Sequence, residues 1–431
     1  MLSSRALLFA GLVALVGVVA TWLQTPALEM FWRMALVAGI AAGIADGVLA
    51  TRIRVKGLVV DRALLPLGRE VPLRVDLQVS PARPVVLDIR TALSPHLGMP
   101  DTVRRVEHSG AGLLSLQLRV RGVTLGEQNA LSFPARALGP LGLAWVRRPI
   151  PLDTPFRVVP DPATEAGHQR FASEGGAHEG ADVGYGIEVR QLRPYRPGDP
   201  RRAIDWKASA RSGSLITRDV VAEHRQEIML FIDAGRGSRT EIDSLARLGH
   251  YVNLASKLIQ LAARTDDHIG LLAFAAEPFV VRSPLRAATA APGLQQDLAR
   301  LAPRSLESNP LLAMLRLQSV VRHRTLIVIM TDLDDPAVAT QLSSALRLIA
   351  RRHLPLVVDF DSAGVAALET AVPAHWADPY VALAAQEFRQ GQRANALRLA
   401  RLGCQVLLTR PEAGERELAR AYQTIRAQRR L

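Results

Sequence analysis

Residues Ala6 to Leu23, ALLFAGLVALVGVVATWL, carry no charge and as a helix would reach about 27 Å, close to the thickness of a bilayer core. A second apolar stretch, Ala27 to Ala50, follows after only Gln24-Thr25-Pro26. Its middle is rich in small residues (Ala38, Gly39, Ala41, Ala42, Gly43), which permit close helix packing, and its charges, Glu29, Arg33 and Asp46, lie toward its ends. The two stretches are therefore expected to form a transmembrane hairpin over residues 1–56, with membrane lipid as a partner. A cleaved leader followed by a soluble helix is the alternative; Val18-Val19-Ala20 is an indifferent cleavage site and the second stretch follows at once. Arg5 before the first stretch, and Arg52, Arg54 and Lys56 after the second, place both flanks and the bulk of the chain on the cytoplasmic side by the positive-inside rule.

The remainder of the 431 residues suffices for two or three domains, and a hydrophobic fraction of 48% is that of a globular chain. A formal charge of +13 attracts anionic surfaces in general. Of the 53 basic residues 50 are arginines, scattered through every segment with no run of five like charges, so no specific nucleic-acid face is expected. Cys404 stands alone in an apolar run, which rules out a disulfide within the chain and predicts a buried thiol. Residues 57–160 break into short, often alternating apolar segments punctuated by Pro and Gly, such as Val71 to Val79, Val85 to Thr91, Leu113 to Val120 and Leu141 to Val146. They read as a β-rich, sandwich-like domain that spaces or binds. Residues 161–185 are rich in Gly, Ala and charge and read as a flexible connection, in which His168 and His178 are lone solvated histidines.

Residues 186–225 hold the densest chemistry. From Gly186 to Arg211 (GIEVRQLRPYRPGDPRRAIDWKASAR) seven basic residues stand beside Glu188, Asp199, Asp205, Tyr195 and Trp206. Proline fixes φ and glycine permits positive φ, so Arg196-Pro197-Gly198-Asp199-Pro200 predicts a tight turn. One reading is a solvated surface loop plugged onto a core by its aromatics; the other is a protein-binding hot spot, which combines aromatic area with arginine hydrogen bonds.

Residues 226–431 alternate short apolar runs (Glu227–Asp233, His268–Ala275, Thr325–Asp332, Leu354–Asp361, Cys404–Arg410) with amphipathic stretches, clearest in Glu241 to Arg264, Pro310 to Arg322 and Val338 to Arg352. That pattern predicts a three-layer α/β domain around a largely parallel sheet. Ligands of such sheets gather beyond the C-terminal strand ends, and here the strands end in Asp233, Asp332, Asp359 and Asp361. Carboxylates there either cap the next turn or converge on a hard cation such as Mg²⁺. No Walker A loop, nucleophile elbow, His-Glu-x-x-His or histidine cluster accompanies them, so no catalytic residue is assigned.

The run Glu188, Leu192-Arg193, Tyr195-Arg196-Pro197-Gly198-Asp199, Arg201, Ile204-Asp205-Trp206-Lys207-Ala208-Ser209-Ala210-Arg211, followed by a strand ending at Asp233, resembles the signature of the domain-of-unknown-function 58 family. The resemblance implies a bacterial inner-membrane protein whose last domain is similar to a von Willebrand factor A domain. It also implies a non-enzymatic adaptor or chaperone-like role beside a MoxR-type AAA+ ATPase. In that adaptor reading the protein-binding residues are Arg190, Arg193, Tyr195, Gly198, Asp199, Arg201, Asp205, Trp206 and Lys207, with Arg193, Arg201, Tyr195 and Trp206 as contacts and Asp199 and Asp205 fixing the loop through charge-assisted hydrogen bonds. The resemblance implies a metal loop at Asp233 and Asp332 with Ser238 nearby; Gly235 and Gly237 stand where the family's loop has serines. A metal-dependent envelope hydrolase or transferase is the alternative.

Overall fold

The computed structural model describes residues 2–59, 64–80, 84–91, 96–99, 102–108, 113–128, 131–152, 155–161, 183–197, 199, 201–221, 225–361 and 363–428. The chain divides into two compact units. The first comprises Met1–Pro162, Arg236–Ser256 and Gln295–Ser305, the second Ala163–Gly235, Lys257–Leu294 and Leu306–Leu431. The expected connection at 161–185 lies almost wholly outside the described residues; a strand is already formed at Val183.

In the first unit, helices α1 (Ser4–Leu23) and α2 (Pro26–Thr51) form a hairpin, and both are long and apolar enough to cross a membrane. Their outward faces carry exposed Leu, Val, Ile, Met and Phe side chains. Glycines let aromatic rings in between them: Phe9 lies against Gly39 and Trp32 against Gly17. Pro26 opens α2, where its missing N–H costs nothing.

Two four-stranded sheets follow. The first has the order β1 (Arg54–Val59), β3 (Glu70–Ser80), β7 (Leu114–Gly122), β5 (Leu97–Gly98); the second has β11 (Trp145–Arg147), β10 (Ala135–Leu138), β4 (Val85–Arg90), β6 (Val103–His108). Smaller pairings join β2 (Leu64–Pro66), β13 (Phe156–Val159) and β8 (Gly126–Gln128), and β9 (Ser132–Phe133) with β12 (Ile150–Pro151). Leu73, Val75 and Leu77 of β3, Leu116 and Leu118 of β7, and Leu87 and Ile89 of β4 share one core, the arrangement of a sandwich.

The strand expected at Leu141–Val146 is only Trp145–Arg147. The preceding residues instead wrap a carboxylate of α2. Asp46, which the sequence suggests reaches an interface, is fully buried: Oδ1 accepts the Leu141 N–H (2.7 Å) and Oδ2 those of Leu143 (2.8 Å) and Ala144 (2.9 Å). The same loop holds the start of α1, where Ser3 N donates to Leu143 O and Ser3 Oγ to Gly142 O. Both outer ends of the hairpin are thus tied to one loop, as a hairpin with its two flanks on the same side requires.

The second unit carries a six-stranded sheet in the order β20 (Pro278–Arg286), β19 (His268–Phe274), β16 (Glu227–Asp233), β21 (Thr325–Met330), β22 (Leu354–Phe360), β23 (Gln405–Thr409), parallel except for the edge strand β20. The sequence patterning foresees the parallel members and misses β20, whose half-exposed edge has no continuous apolar run. A hairpin of β14 (Val183–Pro194) and β15 (Ile216–Val221) precedes the sheet and encloses helix α3 (Trp206–Ser212). Helix α4 (Arg247–Arg264) begins six residues later than the Glu241 start expected from periodicity. Asp243 and Ser244, at φ 48° and 64°, first turn a two-residue hairpin between β17 (Glu241–Ile242) and β18 (Leu245–Ala246).

Helices α5 (Ala287–Ala299) and α6 (Pro310–Val320) lie between β20 and β21, and α7 (Pro336–Ile349) between β21 and β22. Then come α8 (Ala363–Thr370) and α9 (Asp378–Arg401), and α10 (Pro411–Ala427) after β23. Met314 and Leu317 of α6, Leu342 and Leu346 of α7, and Leu399 of α9 pack against Met229, Phe231, Ile327, Ile329 and Val357 of the sheet. The alternate residues Ile228, Leu230 and Ile232 are equally buried, so the sheet is covered on both faces. Cys404 is buried in this core, and burial pushes its thiol up to about 11.

A Cβ at Gly139 would overlap the Asp46 carboxylate. Gly139→Ala should therefore cost about 1–3 kcal/mol, the usual penalty of overpacking. Thermal unfolding of the detergent-solubilised protein should show a lowered midpoint, whereas Ala substitution at the open Gly126 site, with φ 109°, tests only backbone strain.

Candidate functional site

Two places concentrate the residues that the sequence singles out, and both lie in the second unit. The first is the tip of the β14–β15 hairpin. Arg193, near the end of β14, grips Asp199 with both guanidinium arms, Nη1 to Oδ2 and Nη2 to Oδ1, each at 2.8 Å. Asp199 Oδ2 also accepts the Arg196 N–H at 2.8 Å and the Thr217 hydroxyl at 3.4 Å, and the Tyr195 hydroxyl donates to the Asp199 carbonyl at 3.3 Å. The Arg193 guanidinium, foremost among these donors, holds the Asp199 carboxyl down to about 2. The clamp is accordingly intact above the ordinary carboxylate range and is lost only as pH falls through about 2.

Asp205 caps α3 by accepting the Ala208 N–H at 2.9 Å, while its own N–H donates to Ile216 O. Ser209 locks the short helix onto β15: Ile216 N donates to its Oγ at 2.8 Å. Gly213 at φ 69° closes the helix.

This framework sorts the predicted binding residues. Arg193, Asp199, Asp205 and, through its hydroxyl, Tyr195 are structural parts of the turn. Trp206, at the first position of α3, is 67% exposed, and Arg201 and Lys207 are exposed beside it in sequence. Gly198 and the Arg190 side chain lie outside the described residues. Of the two readings the sequence leaves open for Trp206, a plug onto a core or an outward contact, its exposure removes the plug and gives that face a large apolar element.

The second place is the C-terminal edge of the six-stranded sheet. After β16 the chain goes to one side to make β19 and then returns to the other to make β21, so the strand order reverses between β16 and β21, the position where such sheets bind ligands. Asp233 ends β16 there. Its Oδ1 accepts the Gly235 N–H (2.8 Å) and the Ser308 hydroxyl (2.5 Å), and its Oδ2 the Thr331 hydroxyl (2.8 Å). Burial pushes this carboxyl above its ordinary range against the pull of those donors. Ser308, 75 positions from Asp233 in the sequence, is brought to it by the fold. A Cβ at Gly235 would overlap the Ser308 Oγ, so this hydroxyl occupies the space a residue-235 side chain would need.

Asp332 and Asp359 act on the neighbouring loop. Asp332 Oδ1 accepts the Asp334 N–H at 2.8 Å; Asp359, fully buried, accepts the Leu333 N–H at 3.0 Å and the Gln392 amide at 3.2 Å. The carboxylates of Asp332, Asp334 and Asp359 lie within 4.8 Å of one another. Asp361 pairs instead with Arg389, which also binds Glu369. Ser238, expected with Asp233 and Asp332, is buried in a short 3₁₀ turn (Arg236–Arg239) assigned to the first unit. Asp233 with the Ser308 and Thr331 hydroxyls offers hard oxygen donors of the kind Mg²⁺ takes, though those hydroxyls also satisfy it without an ion, while Asp332 groups with Asp334 and Asp359.

Comparison with known proteins finds a family match over part of the chain. Residues 191–368 match the family described as "Protein of unknown function DUF58". The match contains the clamp, Trp206, Asp233, Asp332 and Asp359. No curated protein matches the chain. Among solved structures, the conserved hypothetical protein BatB from Bacteroides thetaiotaomicron is 12% identical over 46% of this chain and 99% of its own, with a TM-score of 0.30. An aerotolerance-related membrane protein from Bacteroides fragilis is 14% identical over 47% and 99%, also at 0.30. An uncharacterized membrane spanning protein from Vibrio fischeri is 16% identical over 48% and 99%, at 0.18. TM-scores this low carry no fold assignment.

Because charge on Asp233 opposes folding at neutral pH, Asp233→Asn, whose amide oxygen still accepts from Gly235 N–H and the Ser308 hydroxyl and whose NH2 can donate to a rotated Thr331 hydroxyl, should unfold at or above the wild-type midpoint. Asp233→Ala orphans those donors at about 1–3 kcal/mol each and should unfold several degrees lower. Equal losses in both variants would contradict this account of the site.

Proposed function

We propose that the protein is a membrane-anchored, non-enzymatic adaptor that docks a protein partner on the tip of the β14–β15 hairpin. The observation that supports it best is the division of labour within that tip. A bidentate Arg–Asp clamp, a capped helix and a serine tie spend their hydrogen bonds on fixing the turn, and what the turn holds outward is Trp206 with exposed Arg201 and Lys207. Aromatic and arginine side chains held on a rigid support are the usual anchors of protein interfaces, because little entropy is lost on binding.

The same unit exposes a second apolar group: Trp376 and Tyr380, stacked edge to face at 6.4 Å, with Val372 and Leu383 also exposed nearby in sequence. Exposed apolar groups of this kind mark protein interaction surfaces.

A MoxR-type AAA+ ATPase is the partner that the family resemblance offers. The same resemblance supports a von Willebrand A-like reading of the α/β unit and a place in the bacterial inner membrane with the bulk of the chain in the cytoplasm. Helices α1 and α2 support the anchor. Where a Mg²⁺ ion joins this reading, Asp233 with the Ser308 and Thr331 hydroxyls would hold it, supplying a charge on which an acidic partner group could close.

The reading is tested by recovering partners of the full-length protein from gently solubilised membranes, with and without ATP and Mg²⁺. An ATPase recovered with the wild type and lost with a normally melting Trp206→Ala variant is the expected result. Recovery that is indifferent to Trp206, or no ATPase under any nucleotide condition, would overturn it.

A further inference from the structure

The outer face of the second sheet in the first unit carries a charged row that the adaptor reading does not use. Asp88 on β4 stands in register with Arg105 of β6 on one side and Arg136 of β10 on the other, and Arg136 stands in register with Arg147 of β11. A single carboxylate therefore lies in a line of three guanidinium groups running across all four strands.

Asp88 is only 3% exposed. It accepts Arg105 Nε at 2.8 Å and Arg136 Nη2 at 2.9 Å, and those two arginines hold its carboxyl below the ordinary range. Both guanidinium groups also lie over the Trp145 ring, at 5.5 and 4.9 Å from its centre. Trp145 and Arg147 project to this same face because they are two apart on one strand. The result is an open groove of about 910 Å³, lined by Asp88, Arg90, Arg136, Trp145 and Arg147 together with apolar side chains such as Val103. Arg147, exposed at the β11 edge, adds positive charge away from Asp88, which two arginines already share, and away from Glu107, which acts on Arg105 at the β6 edge.

The groove is held at the end of the apolar hairpin. Trp145 directly follows Ala144, whose N–H is bound by Asp46 of α2, and Arg148, just past β11, donates to the Ala50 and Thr51 carbonyls at the C-terminus of that helix. Cationic residues immediately beyond a membrane span, with a tryptophan among them, are what an anionic bilayer surface attracts.

We propose that this groove binds the headgroup phosphate of an anionic phospholipid, with Arg136 and Arg147 on the phosphate and Trp145 against the glycerol and upper acyl carbons. The proposal rests on reading α1 and α2 as membrane spans. Its occupant follows from charge complementarity and from the covalent and hydrogen-bonded continuity between β11 and the end of α2. Lipid bound here would fix how the sandwich stands on the membrane.

The test uses the full-length protein in a neutral detergent, titrated with dihexanoyl phosphatidylglycerol, dihexanoyl phosphatidylcholine and inorganic phosphate. Phosphatidylglycerol should bind saturably, and phosphatidylcholine should not. Arg147→Gln, which leaves the Asp88 pairs untouched, should weaken phosphatidylglycerol about tenfold at an unchanged unfolding midpoint, and Arg147→Glu should abolish it. Equal binding of the two lipids, or no effect of either variant, would overturn the site; inorganic phosphate binding as tightly as phosphatidylglycerol would overturn the lipid as its source. Carbonate extraction of membranes checks the spans separately: a chain released into the wash loses the membrane reading even where the titrations show a phosphate site.

Discussion

The grip of Arg193 on Asp199 converts a proline- and glycine-rich stretch into a surface. Two parallel charge-assisted hydrogen bonds, a backbone N–H and a threonine hydroxyl converge on one carboxylate, so the turn between β14 and β15 has its geometry decided before anything binds. The consequence reaches α3. The N–H of Asp205 and the hydroxyl of Ser209 tie the start and the middle of α3 to Ile216 of the same hairpin, and Trp206 is left outside. Pre-organisation of this kind is what makes an exposed tryptophan a docking anchor rather than a defect.

Carboxylates saturated by short-range donors recur through the molecule and do the same work elsewhere. Asp46 gathers three amides of the loop before β11 and so joins the apolar hairpin to the sandwich. Asp233 and Asp359 gather the loops beyond β16 and β21 at the point where the strand order reverses. Asp267 accepts the Gln226 N–H at 2.9 Å and the hydroxyls of Thr265 and Tyr422, which fastens α10 to the start of β19. An arginine-rich chain with few lysines uses its acids sparingly, and these acids sit where irregular backbone needs an acceptor. The strand-end aspartates are thus legible first as organisers of loops, whatever else they hold.

How much of this the sequence discloses depends on the range over which each signal acts. Continuous runs such as Glu227–Asp233 and Thr325–Met330 announce buried parallel strands, since both faces need apolar side chains. The hairpin of α1 and α2 and the buried Cys404 are equally local signals. The edge strand β20 and the small β17–β18 hairpin are not, because half-exposed strands and polar two-residue turns resemble helix surface in composition. Asp46 is the clearest case of a hidden role: its three partners lie about a hundred residues downstream, and only the fold brings them together. The row through Asp88 is hidden for the same reason, since its members come from four strands. Asp199 and Asp205 are legible as fasteners of the turn; that Arg193 and Tyr195 belong to the turn while Trp206 faces outward follows from hydrogen bonds that no spacing reveals.

The account stands or falls on whether the face carrying Trp206 meets a partner while the clamp behind it stays closed. A photo-crosslinking residue placed at position 206, and in a parallel sample at the half-buried Tyr195, in the full-length protein within native membranes tests this directly. The account predicts a discrete protein adduct from position 206 and little from 195. Adducts from 195 as strong as those from 206, or none from 206 beyond lipid, would contradict it.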